Sequence, residues 1–63
     1  MTCAVGSGVF GVLTEFSNRC LEKGEEPAEK LEEFARRGVV EACGCRLYIV
    51  ELERTAAICL SCD

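Results

Sequence analysis

The chain has 63 residues, six of them cysteine and none histidine, with eleven acidic against seven basic side chains and a formal charge of −4. A chain this short has room for one domain, spanning 1–63, and buries only about 60% of the surface its unfolded form exposes, so a metal, disulfides or a partner is expected to help hold it together. The acidic balance and the lack of a Lys/Arg cluster exclude the electrostatic footprint of a nucleic-acid binder or of a protein held on an anionic membrane.

Residues 1–14 carry no charge but have no preceding Lys or Arg, unlike a secretory leader, and no uncharged run approaches the roughly 20 residues a membrane span needs. A cytoplasmic location is therefore expected, in which thiols stay free, bind metal or do redox work. Residues 1–5 read as a short strand or irregular lead-in, broken by Gly6-Ser7-Gly8. From Val9 the apolar residues Val9, Phe10, Leu13, Phe16, Cys20 and Leu21 trace one helical stripe, which predicts a helix over 9–23 ended by Gly24. Gly6, Gly8 and Gly11 have the spacing of a dinucleotide-binding turn, but a Rossmann unit needs more parallel strands than this chain can supply, so the glycines are read as a turn and a close-packing device.

A second helix is predicted from Pro27, suited to the first helical turn, up to Gly38. Leu31, Phe34 and Ala35 form its apolar stripe, and Glu26/Lys30, Glu32/Arg36 and Glu33/Arg37 are favourable pairs four residues apart. Helices joined by so short a connection are expected to pack antiparallel. The glutamates at 22, 25, 26, 29, 32 and 33 read as a solvated face, not an acid/base pair.

After Gly38 the composition turns β-prone: Val39-Val40-Glu41-Ala42, then Cys43-Gly44-Cys45, then Arg46-Leu47-Tyr48-Ile49-Val50. Read as a hairpin turning at Glu53-Arg54, this segment sets Cys45 opposite Cys62, Leu47 opposite Leu60 and Ile49 opposite Ile58, making one face continuously apolar. Glu-Arg is poor turn chemistry, since two-residue hairpins favour Asn-Gly or Asp-Gly. Read as a helix, Tyr48, Ile49, Leu52, Ala56, Cys59 and Leu60 also share a stripe, but Leu47 and Val50 then point away from it. The fold expected is α+β, two antiparallel amphipathic helices packed on a short C-terminal β-hairpin. The alternative is an all-α three-helix arrangement.

The chemistry-bearing residues lie in this last segment. Cys43 and Cys45, with Cys59 and Cys62, form two short-spaced pairs, an economical way to present four thiolates to one tetrahedral ion. In that spacing, over about twenty residues, the segment resembles the zinc-ribbon class, although Cys-Gly-Cys departs from the usual pair of Cys-x-x-Cys knuckles. The leading expectation is a metal-binding interaction domain with a structural all-cysteine zinc site, with Cu(I) or an iron-sulfur cluster as other fits to an all-sulfur ligand set. Its partner would be another protein or a second copy.

A second reading is a thiol redox or sulfur-transfer protein using Cys43 and Cys45, with Arg46 favouring the thiolate. The run ending in Cys43-Gly44-Cys45 looks faintly like the segment before the active cysteine of small sulfur-relay proteins. A third is a structural protein with buried free cysteines, Gly44 merely closing a turn. Cys20 falls on the first helix's apolar stripe, and Cys3 is left without a role.

Overall fold

The computed structural model describes residues 1–63 and is α+β. Strand β1 (Thr2–Ala4) leads through a tight helical turn at Gly6–Gly8 into helix α1 (Val9–Glu22), followed by helix α2 (Pro27–Arg37). Strands β2 (Val39–Ala42), β3 (Cys45–Leu52) and β4 (Thr55–Cys62) complete the chain. The strands form one sheet in the order β1-β4-β3-β2, antiparallel throughout. The expected hairpin is thus the centre of a four-stranded sheet, with the first residues of the chain as one edge and the run after Gly38 as the other. No helix is long and apolar enough to cross a membrane.

Both helices end as their glycines require. At the end of α1, Gly24 takes φ 74°, its N–H donates to the Leu21 carbonyl at 3.1 Å, and the Glu25 N–H donates back to the Cys20 carbonyl at 2.9 Å. This paired closure is a Schellman motif, which a left-handed residue after the helix makes possible. Helix α2 begins with Pro27 in its first turn and ends at Gly38, φ 73°, whose N–H donates to the Phe34 carbonyl at 2.7 Å. Of the three ion pairs expected along it, Glu33–Arg37 closes, at 3.2 Å.

Alternation along the strands sends successive side chains to opposite faces. One face carries Val40, Cys45, Leu47 and Leu60, which join Val12, Phe16 and Cys20 of α1 and Phe34 of α2 in the hydrophobic core. Leu47 and Phe16 are wholly buried. The stripe that α1 buries is shifted from the one expected as well as narrower: Val12, outside the expected stripe, joins Phe16 and Cys20, each four residues from the next, while Phe10 and Leu21 are 78% and 63% exposed. In α2, Phe34 is buried and Leu31 half-buried, but Ala35 is exposed. Both hairpins close with two-residue turns of type I′ character, in which both central residues take left-handed backbone. Cys43 and Gly44 adopt φ 58° and 74° between β2 and β3, and Glu53 and Arg54 adopt 44° and 72° between β3 and β4.

The opposite face of the sheet carries Val39, Arg46, Tyr48, Val50, Leu52, Ala57, Cys59 and Cys3, and none of these belongs to the core shared with the helices. Ala57 and Cys59 are nonetheless buried there, set across the β3 ladder from the larger Val50 and Tyr48.

Candidate functional site

The cysteines take up positions dictated by strand parity and register. Cys45 and Cys62 face each other directly across β3 and β4, with Cα atoms 4.0 Å apart, and are joined by a disulfide. Their side chains point to the helix side, where Cys45 is part of the core and Cys62 packs against it. Cys59 lies three residues before Cys62 and so projects to the other face. There it faces Cys3 across β1 and β4, Cα atoms 3.9 Å apart, in a second disulfide. Directly opposed residues of an antiparallel pair are the closest neighbours a sheet offers, which is why the bonds form at these two places.

The remaining cysteines, Cys20 and Cys43, are free thiols. Cys20 is fully buried on α1, whereas Cys43 is half-buried at the first position of the β2–β3 turn. The Schellman closure of α1 links Glu25 to both: its backbone N–H donates to the Cys20 carbonyl, and its carboxylate accepts a hydrogen bond from the Cys43 thiol. Desolvation, then the hydrogen bond to Glu25, then the adjoining Cys20 thiol push the Cys43 pKa up to about 12. Cys43 is therefore a protonated thiol at neutral pH. Beside it lies an open depression of about 460 Å³, edged by Cys43, Cys45, Arg46, Ser61 and Asp63. The Asp63 N–H donates to the Gly44 carbonyl at 3.0 Å and fixes the end of β4 to the turn.

No family model, curated protein or solved structure matches this chain.

The cysteine geometry overturns the metal expectation. The proposed ligands Cys43, Cys45, Cys59 and Cys62 do not converge: Cys45 and Cys62 are bonded to each other, Cys59 is bonded to Cys3 on the far side of the sheet, and Cys43 stands in the turn. No group of three or more Cys, Asp or Glu side chains is placed to hold an ion, so the four-cysteine zinc site has no ligand set. The redox reading of Cys43-Gly44-Cys45 fails on the same geometry. Cys45 is already committed to Cys62, so Cys43 and Cys45 are not a dithiol pair. Arg46, expected to favour the thiolate, projects to the helix-free face, where its Nε lies 3.3 Å from a Glu41 carboxylate oxygen and its guanidinium 5.9 Å from the Tyr48 ring centroid. Of the reading with buried free cysteines, Cys20 alone fits.

The glycine motif is explained by local structure. Gly6 adopts φ 64°, and a Cβ on Gly8 would sit 3.1 Å from that of Ala4, while Gly11 faces open space. The strand before the motif pairs antiparallel with β4, not in the parallel crossover a dinucleotide site is built on. Sequence reasoning missed Cys3 and Glu25. Cys3 had a detectable signal, since a hairpin that puts Cys62 on one face leaves Cys59 needing a partner on the other. Glu25 had none, because only the cap geometry turns it toward Cys43.

Proposed function

We propose that this chain is a disulfide-stapled interaction domain that pairs with a second copy of itself through the helix-free face of its sheet. The observation that carries the reading is the character of that face. Val39, Tyr48, Val50 and Leu52 lie on it at partial or full exposure, together with the Cys3–Cys59 bond. Its charges are one acid and one base already paired, Glu41 and Arg46. The chain's net charge of −4 arises elsewhere, much of it from the glutamates of α1, α2 and the residues that join them. A neutral, apolar face meets its own copy without like-charge repulsion, and in a two-fold arrangement Arg46 of each copy can reach Glu41 of the other.

A long side of the fold measures 36 by 20 Å, so a dimer with the ~800 Å² per partner of a stable interface would use the whole of that side. Two disulfides suit a compartment in which thiols are oxidised better than the reducing cytoplasm expected from the N-terminal residues.

Sedimentation equilibrium over a range of concentrations tests the reading. The oxidised protein is expected to move from monomer to dimer as concentration rises, and Val50→Asp, which places a charge in the middle of the face, is expected to stay monomeric with an unchanged circular dichroism spectrum. A wild-type chain that remains monomeric into the millimolar range overturns the proposal.

A further inference from the structure

The disulfides of the sheet leave two thiols unused, and the fold places them together. Cys43 packs against the core that contains Cys20, and Glu25 is bonded to both residues, through its backbone to Cys20 and through its carboxylate to Cys43. We propose that Cys20 and Cys43 form a latent third disulfide, closed by exchange with a low-molecular-weight disulfide that meets Cys43 first.

Access sets the roles. Cys43 is half-exposed beside a depression of about 460 Å³, whereas Cys20 is 0% exposed and cannot meet an oxidant in solution. In the first step the Cys43 thiolate attacks one sulfur of R–S–S–R. The Cys43–S–R bond forms, the R–S–S–R bond breaks, and R–S⁻ departs and takes up the proton that Cys43 has lost. In the second step Cys20, deprotonated in turn, attacks Cys43 Sγ. The Cys20–Cys43 bond forms and the second R–S⁻ leaves with the Cys20 proton. Two protein thiols are oxidised, one external disulfide is reduced to two thiols, and the Cys45–Cys62 and Cys3–Cys59 bonds take no part. The product ties the end of α1 to the β2–β3 turn.

The surroundings of Cys43 hold this step back. Glu25 faces it from the connection after α1 and Cys20 from α1 itself, while Glu41, Arg46 and Asp63 edge the neighbouring depression. Arg46 is the sole cation among them, and it is paired with Glu41. Closure is therefore slow at neutral pH and accelerates as the pH rises. Replacing Glu25 by Gln lowers the Cys43 pKa. Each unit of that fall speeds the first step by about threefold, because about tenfold more thiolate is present and each thiolate is about a third as nucleophilic.

A neutral dipyridyl disulfide added to the native protein provides the test, read by pyridinethione release, intact mass and a non-reduced peptide map. The wild type is expected to release two equivalents per chain, keep no pyridyl group and yield a Cys20–Cys43 cross-linked peptide. Glu25→Gln should give the same product faster at neutral pH, and Cys20→Ala should stop after one equivalent with the pyridyl group on Cys43. A wild-type protein that keeps a pyridyl group on Cys43 while Cys20 stays free overturns the proposal, and so does a map joining Cys43 to Cys45 or Cys62. Both readings need only the wild type, so a poorly folding variant does not obscure them.

Discussion

Replacing Cys3 and Cys59 together by alanine removes the bond that closes the longer of the two loops. The cysteines are 56 residues apart in sequence, against 17 for Cys45 and Cys62. On the chain-entropy account, losing these constraints costs about 4 and about 3 kcal/mol respectively. A domain of this size has roughly 3–9 kcal/mol of stability in all. Losing the Cys3–Cys59 bond therefore takes away nearly half of it at the upper end of that range and all of it at the lower, and reducing both bonds leaves at most ~2 kcal/mol. The strand at stake explains why no other contact makes up the loss: β1 is three residues long, lies at a sheet edge and buries little of its own, with Thr2 and Cys3 both exposed. Urea denaturation followed by circular dichroism measures the effect. With a slope of roughly 1 kcal/mol per M, the midpoint of the double variant should fall by several molar or the folded baseline should vanish. A midpoint within about 1 M of the wild type would show that β1 is not held by this bond and that the loop-closure reasoning does not apply here.

Two further outcomes are expected. Glu53 and Arg54 occupy left-handed backbone at φ 44° and 72°, where residues other than Gly and Asn are disfavoured by roughly 1–2 kcal/mol each. Glu53→Asn with Arg54→Gly should raise the unfolding free energy by about 1–2 kcal/mol, less than the two penalties together because glycine costs backbone entropy and asparagine keeps part of the penalty, and an unchanged or lower urea midpoint would contradict the turn geometry. The second outcome concerns pH. The folded pKa of Cys43, about 12, lies above the ordinary thiol value of 9.0, so between these values the unfolded chain binds fewer protons than the native one. Stability from this group is complete below pH 9 and is lost as the pH climbs toward 12. The urea midpoint of the wild type should thus decline across that window more steeply than that of Cys43→Ser, and parallel pH profiles would refute the assignment.

The sequence carried much of the fold because its local signals agree with one another. Gly24 and Gly38 end the two helices where expected, and the alternation from Cys45 to Cys62 sets the observed hairpin register. What periodicity could not convey was the width of the buried stripe on α1. A sheet with only a few core-facing side chains offers contact to a narrow strip of helix, so Val12, Phe16 and Cys20 fill it and Phe10 and Leu21 stay outside. Glu53-Arg54, poor turn chemistry by itself, spoke against the hairpin that forms. The turn forms because the long β3–β4 ladder on either side outweighs two unfavourable backbone conformations, and such a trade between distant contacts and local strain does not show in four residues read alone.

The cysteine site was misread for a reason the sequence already contained. A Cys-x-x-Cys pair can present both sulfurs to one ion from a loop or a knuckle, but within a strand residues three apart have opposite parity. A hairpin running through Cys62 must therefore send Cys59 to the other face. The hairpin and the four-cysteine metal site were mutually exclusive from the start. Given the hairpin, Cys45 opposite Cys62 is a close cross-strand pair whose sulfurs reach each other directly. Cys59 finds its partner on the free side of β4, where the N-terminal strand sets Cys3 directly opposite it. Parity thus divides the cysteines into two bonded pairs and leaves Cys20 and Cys43. The separation of Cys20 from Cys43 is then set by the cap of α1 and the β2–β3 turn, where strand alternation no longer applies.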